Sequence, residues 1–258
     1  MPSNLRLGQN VLRLDVTDTT MREAAEWAER NAPEGTLILA EEQTAGRGRL
    51  GRAWISQRGV GVYGSLILRP PVPPAKVTVL TLVVGLGVSR GIGEAAGMQC
   101  DIRWPNDVLL GDKKCCGVLV ELSAEEDRVR YAIAGFGINV NQESMPAELA
   151  ERATSLRIET GCEFLREVVL EAVLRNIERY YDMFLDRGTA AILEAFSRAS
   201  TYVRGRRVVV ETGDRVVAGV TAGLNSSGLL LLETPEGRVE PILTGSVRRW
   251  QPDHALET

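Results

Sequence analysis

The stretch Arg103-Trp104-Pro105-Asn106-Asp107-Val108-Leu109-Leu110-Gly111-Asp112-Lys113-Lys114-Cys115-Cys116-Gly117-Val118-Leu119-Val120-Glu121 constrains the fold more than any other part of the chain. Residues 108–110 and 118–120 are apolar β-type runs, and the polar Gly111-Asp112-Lys113 between them can reverse the chain. A hairpin is predicted. Lys114 then stands at the start of its second strand among apolar neighbours. There the lysine stem can pack while its ammonium is aimed, which suits a site that must hold two anions together. The ordinary alternative is a hairpin whose Lys113-Lys114 pair is merely solvated, as most lysine pairs are.

The rest of the composition narrows what the hairpin can belong to. At 258 residues with 44% hydrophobic content, the chain fits one large domain, or one plus a small appendage, around a real core. A net charge of -4 provides no general basic field for nucleic acid or anionic lipid, so any basic chemistry is local. The longest apolar run, 77–88, is broken by Thr78, Thr81 and Gly85 and is too short to span a bilayer. No apolar segment follows a basic patch in residues 1–10, so no export signal is visible and a cytoplasmic location is expected. Cys100, Cys115, Cys116 and Cys162 form no C-x-x-C pair, and His254 is the single histidine, which argues against a zinc site or a histidine-based triad. Buried or half-buried free thiols in a reducing compartment are expected, with adjacent Cys115 and Cys116 on opposite faces of a strand and only one of them in the core.

Two further blocks carry chemistry. In Glu42-Gln43-Thr44-Ala45-Gly46-Arg47-Gly48-Arg49-Leu50-Gly51-Arg52-Ala53-Trp54 the glycines let the backbone approach a ligand, while Arg47, Arg49 and Arg52 supply planar donors for carboxylate and phosphate. An RNA-binding Gly-Arg segment is the competing reading, but such segments come as longer repeats in basic chains. This one is a single copy after an apolar strand in an acidic protein, which fits a mobile loop that orders over its ligand. The third block is Gly135-Phe136-Gly137-Ile138-Asn139-Val140-Asn141. Together with Trp-Pro-Asn-Asp, the lysine seven residues after that Asp, and Gly-Val-Leu-Val-Glu, these blocks resemble the biotin protein ligase family in their order along residues 42–141.

The resemblance implies an α+β fold: a mixed β-sheet flanked by helices, like class II aminoacyl-tRNA synthetases, over residues 1–200, and a small SH3-like β-barrel over 201–258. It implies a biotin site from Thr19, Thr20, Met21, Gln43, Gly46, Arg47, Gly48, Arg49, Lys114 and Gly117, with Met21 standing where the family's Ser-Thr-Asn motif has Asn. A nucleotide site is implied from Arg47, Arg52, Trp54, Asn106, Asn139 and Arg248, with Trp54 stacking on the adenine and the small residues of the third block letting the nucleotide lie against the strand. Ser246-Val247-Arg248 is similar to the family's terminal Ser-Val-Arg, whereas the preceding Leu243-Thr244-Gly245 departs from its usual Gly-Glu-Val.

Along the chain, residues 11–16 read as a strand, and a helix follows to about Arg30, opened by the capping-box spacing of Thr20 and Glu23. Residues 36–40 and 61–68 read as strands. A helix from Pro74 or Ala75 through Ala96 follows, in which Gly85, Gly87, Gly91 and Gly93 lack the preceding strand of a dinucleotide fingerprint and so serve close helix packing. Residues 128–140 make a strand, 162–185 a helix closed by Gly188, and 190–198 a shorter helix. From Thr201 the pattern changes to β runs at 207–211, 216–224, 229–233 and 238–243, with turns such as Thr212-Gly213-Asp214 between them.

The implied reaction joins biotin to ATP as biotinoyl-5'-adenylate with release of pyrophosphate, then passes the acyl group to one lysine of a biotin carboxyl carrier domain of acetyl-CoA or a related carboxylase. Lys114, Arg49 and Asp107 are its expected catalytic residues. Two unit anions at 4 Å repel by about 4 kcal/mol at an effective dielectric of about 20, and Lys114 with Arg47 and Arg49 can offset that. Mg2+ on the triphosphate is expected to help, without a carboxylate cage. The acceptor amine starts near a pKa of about 10.4, so Asp107 is expected to orient it or relay its proton. Only about ten residues precede the first strand, so neither a DNA-reading domain nor DNA binding is expected, nor is a membrane partner. A monomer or a homodimer fits, since an open sheet edge can pair with a second copy or with the carrier. A lipoate or octanoate ligase shares the logic, and a biotin-sensing regulator or inactive adenylate-binding module is the non-enzymatic alternative. The arginine-glycine loop, Trp-Pro-Asn-Asp and the intact Lys114 and Arg49 favour biotin and catalysis.

Overall fold

The computed structural model describes residues 5–213 and 215–250; Asp214 and His254 lie outside them. Seven strands form one sheet: β1 (Val11–Thr17), β2 (Leu37–Gln43), β3 (Gly61–Leu68), β4 (Cys100–Arg103), β5 (Asp107–Leu110), β6 (Lys113–Ala124) and β7 (Val129–Asn139), in the order β1-β2-β3-β7-β6-β5-β4. The helix α1 (Thr20–Glu29) crosses between β1 and β2, which therefore pair in parallel; every other ladder is antiparallel. The mixed sheet flanked by helices is as expected.

Both faces of this sheet are covered, and the alternation of side chains along each strand shows how. Ile38, Ile67 and Ile133 face α1 with Met21, Ala24 and Ala28, while their neighbours Leu37, Leu66, Leu68, Ala132 and Ala134 join the larger core on the other side. That larger core is capped by α2 (Val77–Ala96) and α4 (Arg166–Ala199), which follows the short α3 (Leu156–Thr160). By length and composition α2 could cross a membrane, yet 75% of its apolar window is buried inside the fold. Its apolarity is that of a core helix. A Cβ on Gly87 or Gly91 would stand 2.5 Å from the Cα of Ile177 or Val173, so these two glycines, four apart on one face, let α2 and α4 touch backbone to backbone. Gly85 has no such neighbour, its nearest contact being Ile102 at 4.0 Å.

The second sheet is antiparallel, in the order β11-β10-β9-β8-β12, built from β8 (Arg204–Thr212), β9 (Arg215–Leu224), β10 (Leu230–Glu233), β11 (Val239–Ile242) and β12 (Ser246–Arg249). It is the small carboxyl-terminal SH3-like unit.

Several local expectations need correction. Thr19, not Thr20, is the N-cap of α1, its hydroxyl accepting from the Met21 N–H at 3.3 Å, because Thr20 is already helical and turns its hydroxyl inward. The helix expected from Cys162 starts at Arg166 and runs as one element to Ala199 across a kink at Gly188, where φ is 73°. Strands β4 and β12 and helix α3 were too short to show a period of their own. Cys115 and Cys116 are both buried in the larger core, because a bulge at Cys115 interrupts the alternation of the strand, whereas Cys162 is exposed.

Candidate active site

The site is a cleft above the middle of the large sheet, where the sequence supplies glycine at Gly64, Gly117, Gly135 and Gly137. Gly117 on β6 pairs directly with Gly137 on β7, which makes a flat platform without side chains. The indole of Trp54 rests on it: a Cβ on Gly137 would stand 2.3 Å from Trp54 Nε1, and one on Gly117 3.2 Å from its ring. The ring itself thus occupies the strand surface expected to receive the nucleotide. Its buried Nε1–H, packed against the Gly137 backbone, has no hydrogen-bond partner among the described residues.

One end of the cleft is polar. The N-terminus of α1 brings Thr20 beside β2 and β3, so that Gln43 Oε1 accepts from the Thr20 N–H at 2.9 Å and from its hydroxyl at 3.1 Å. The Thr20 and Ser65 hydroxyls lie 2.8 Å apart, and Gln43 Nε2 donates to Ser56 Oγ at 2.8 Å. Met21 continues this floor: its sulfur lies where a Cβ on Gly135 would be, 2.4 Å away. The apolar residue standing in the family's Asn position therefore packs and makes no polar contact.

The roof is the glycine-arginine loop, folded back on itself by Gly48 N–H to Arg52 C=O at 2.7 Å and Trp54 N–H to Gly46 C=O at 2.9 Å. Gly46 has no room for a side chain, since a Cβ there would meet the Trp54 carbonyl at 2.6 Å. Arg47, Gly48 and Arg49 line the cleft together with Lys114 and Asn106. Arg49 is anchored to both sheets: Nη1 donates to Asn106 Oδ1 at 3.2 Å and Gly245 C=O at 3.4 Å, and Nη2 donates to Thr244 Oγ1 at 3.2 Å. Burial pulls its pKa down, with Asp107 acting in the opposite direction. Arg52 and Arg248 stand outside the cleft lining and share Glu211, at 3.7 and 3.1 Å.

Lys114 Nζ lies 2.6 Å from Asp107 Oδ1 and 5.2 Å from the centre of the Trp54 ring. Arg103 holds the other oxygen of Asp107 at 2.8 Å. Burial pushes the Asp107 carboxyl up, but the two cations outweigh it and keep its pKa below the ordinary value. Such a carboxylate is a weak base, better suited to holding the ammonium of Lys114 than to taking a proton.

Asn139 does not line the cleft. It is buried with its amide donating to the Thr154 carbonyl at 2.9 Å and its oxygen accepting from Gln142 Nε2 at 3.3 Å. Residues not expected at the cleft are Gly64, Val118, Leu119 and Phe136 on its walls, with Arg103 behind Asp107. A glycine inside a wholly buried strand was the available sign for Gly64. The small sheet also reaches the site's support, since Trp104 Nε1 donates to the Gly228 carbonyl at 2.9 Å and Asp112, at the hairpin tip, meets Arg249 at 2.7 Å and Arg206 at 3.3 Å.

An ammonium and an arginine roof over one cleft, with a polar recess at its end, define a protein that binds anionic groups side by side. Comparison with known proteins makes this specific. Residues 13–139 match the biotin/lipoate A/B protein ligase family and residues 204–250 the biotin protein ligase C-terminal domain. The bifunctional ligase/repressor BirA of Bacillus subtilis is 44% identical over 90% of this chain and 71% of its own length, and the biotin–[acetyl-CoA-carboxylase] ligase of Paracoccus denitrificans 32% identical over 86% and 93%. A biotin protein ligase of Aquifex aeolicus, solved in complex with biotin and ATP, superposes with a TM-score of 0.81 at 36% identity over 94% of this chain and 100% of that one. The chain belongs to the biotin protein ligase family.

Proposed function

We propose that Lys114, Arg47 and Arg49 bring the biotin carboxylate and the α-phosphate of ATP together in this cleft, with the biotin ring system in the Thr20–Gln43 recess. The activity is that of an ATP-dependent biotin protein ligase. A carboxylate oxygen of biotin attacks the α-phosphorus and pyrophosphate leaves; the carrier lysine then attacks the acyl carbonyl, loses a proton, and AMP leaves. The observation that supports this assignment of roles is the Lys114 ammonium inside the same cleft as Arg47 and Arg49. That ammonium can donate to both reacting oxygens, so its attraction persists from substrate to adenylate. Asp107 orients it.

Arg52 and Arg248, in half-exposed pairs with Glu211, are proposed to exchange that carboxylate for the polyphosphate. Among the described residues no cluster of three metal-ligating side chains lies together, so Mg2+ is taken to arrive as the counter-ion of ATP, and no step is routed through it. Asn139 supports the nucleotide strand from behind. Residues 1–200 form the catalytic unit and 201–258 the unit that anchors Arg49. The acceptor is a biotin carboxyl carrier domain of acetyl-CoA or a related carboxylase in the cytoplasm, met by a monomer or by a homodimer paired along the open β1 edge of the sheet.

Incubation with ATP, a carrier domain and biotin, lipoate or octanoate tests the reading. Avidin-reactive carrier with biotin, and no acylated carrier with the other two acids, is the expected outcome. Lipoylation without biotinylation would overturn it.

A further inference from the structure

Lys114, the second residue of β6, lies beyond the end of its neighbour. β7 stops at Asn139, and the β6–β7 ladder starts only at Cys116, opposite Ile138. On the other side the β5–β6 register slips between Val108 and Leu109, which leaves Cys115 as the extra residue of a bulge. The large sheet therefore holds Lys114 on one side only, next to an irregularity.

A distant segment takes the missing place. The Lys114 N–H donates to the Arg152 carbonyl and the Thr154 N–H to the Lys114 carbonyl, both at 2.9 Å, a single parallel bridge centred on Ala153. This segment is itself tied down at both ends. Lys113 Nζ donates to the Ala150 carbonyl at 2.9 Å. The Ser155 hydroxyl donates to the Gln142 carbonyl at 2.7 Å and accepts from the Ile158 N–H at 3.0 Å. Thr154 and Ser155 have no exposed surface, and the Asn139 amide on the Thr154 carbonyl joins the end of β7 to its replacement.

We infer that residues 150–155 are a strap that positions Lys114 for the reaction, and that Lys113 and Ser155 are the positioning residues that hold it. The inference rests on Lys114 acting as proposed above. The strap explains why two lysines stand together: one side chain enters the cleft, and the other fastens the support of its neighbour's backbone. It also gives the Asn that ends β7 a task in the catalytic geometry from outside the cleft. A lysine displaced by a fraction of an ångström still binds an anion, but no longer meets both reacting oxygens at once, so the loss falls on turnover more than on substrate affinity.

The test measures adenylate formation from biotin and ATP in the full chain. Ser155→Ala and Lys113→Met are each expected to lower kcat by about three- to tenfold, with KM for biotin and ATP within about twofold of the parent. Ser155→Thr, which keeps the hydroxyl, is expected to restore it. Lys113 is on the surface and its replacement spares the core, so that arm stands if Ser155→Ala folds poorly. Parental kcat in Lys113→Met, or a loss in Ser155→Ala that lies in KM with kcat unchanged or that Ser155→Thr fails to restore, would overturn the strap. A parent chain that forms no adenylate would overturn the proposed function instead.

Discussion

Replacing Gly137 by Ala tests how the cleft is built with the smallest change available. The added methyl would sit 2.3 Å from Trp54 Nε1 and 2.5 Å from Cε2, against an ordinary contact of about 3.4 Å, so something must move by about 1 Å. Gly137 lies mid-strand, paired with Gly117 on one side and Tyr63 on the other, so the sheet does not yield. The indole does. Lifting it breaks the contact with Lys114, worth about 0.5–1 kcal/mol, and loosens the roof through the Trp54–Gly46 backbone bond. A misplacement of about 1 Å at groups bearing on the reaction costs up to about 100-fold in rate. Biotin-dependent exchange of labelled pyrophosphate into ATP is therefore expected to fall by about 10- to 100-fold. Biotin affinity by calorimetry falls less, because the Thr20–Gln43 recess is untouched. In a Trp54→Ala background the same methyl meets no ring and is expected to add little. Parental exchange kinetics in Gly137→Ala, or a full additional loss without the indole, would refute the reasoning.

Lys114→Ala is expected to abolish both adenylate formation and transfer, since one ammonium serves reactant and intermediate; retained pyrophosphate exchange would contradict this. Asp107 has its folded pKa depressed, so its stabilising contribution is present above the unfolded value of about 3.9 and is lost as pH falls through the folded value. The rate of adenylate formation between about pH 5 and 8 is accordingly expected to show no limb from Asp107, and a limb in that window that disappears in Asp107→Asn would count against its assignment. Gly91→Ala forces a methyl to within 2.5 Å of the Val173 Cα, and a loss of about 1–3 kcal/mol is expected from thermal or urea unfolding. Unchanged stability would show that α2 and α4 can part at no cost.

Much of the site was legible because its chemistry is local in sequence. The arginine-glycine loop, the Thr19-Thr20-Met21 turn and Lys114 near the start of β6 each lie within one short stretch, and the cleft gathers members of all three. What was not legible came from contacts between stretches. No pattern in residues 135–141 says that an indole from residue 54 will lie on the glycines, nor that Asn139 will turn to the Thr154 carbonyl and away from the cleft. β4, β12 and α3 are not legible because each holds too few apolar residues for a run or a period to emerge, whereas the equally short β5 and β10 are marked by continuous apolar runs.

The order of residues alone determined the family, the donors and the acids, because a side chain's charge and a glycine's missing Cβ are properties of the residue itself. Only the packed chain decided which donors face one another. Lys114 draws its position from a bulge, a truncated neighbouring strand and a strap some forty residues away, and Arg49 is held from the carboxyl-terminal sheet. Such positions are set by distances across the fold, which are a sum over every element between and are written in no single stretch of it.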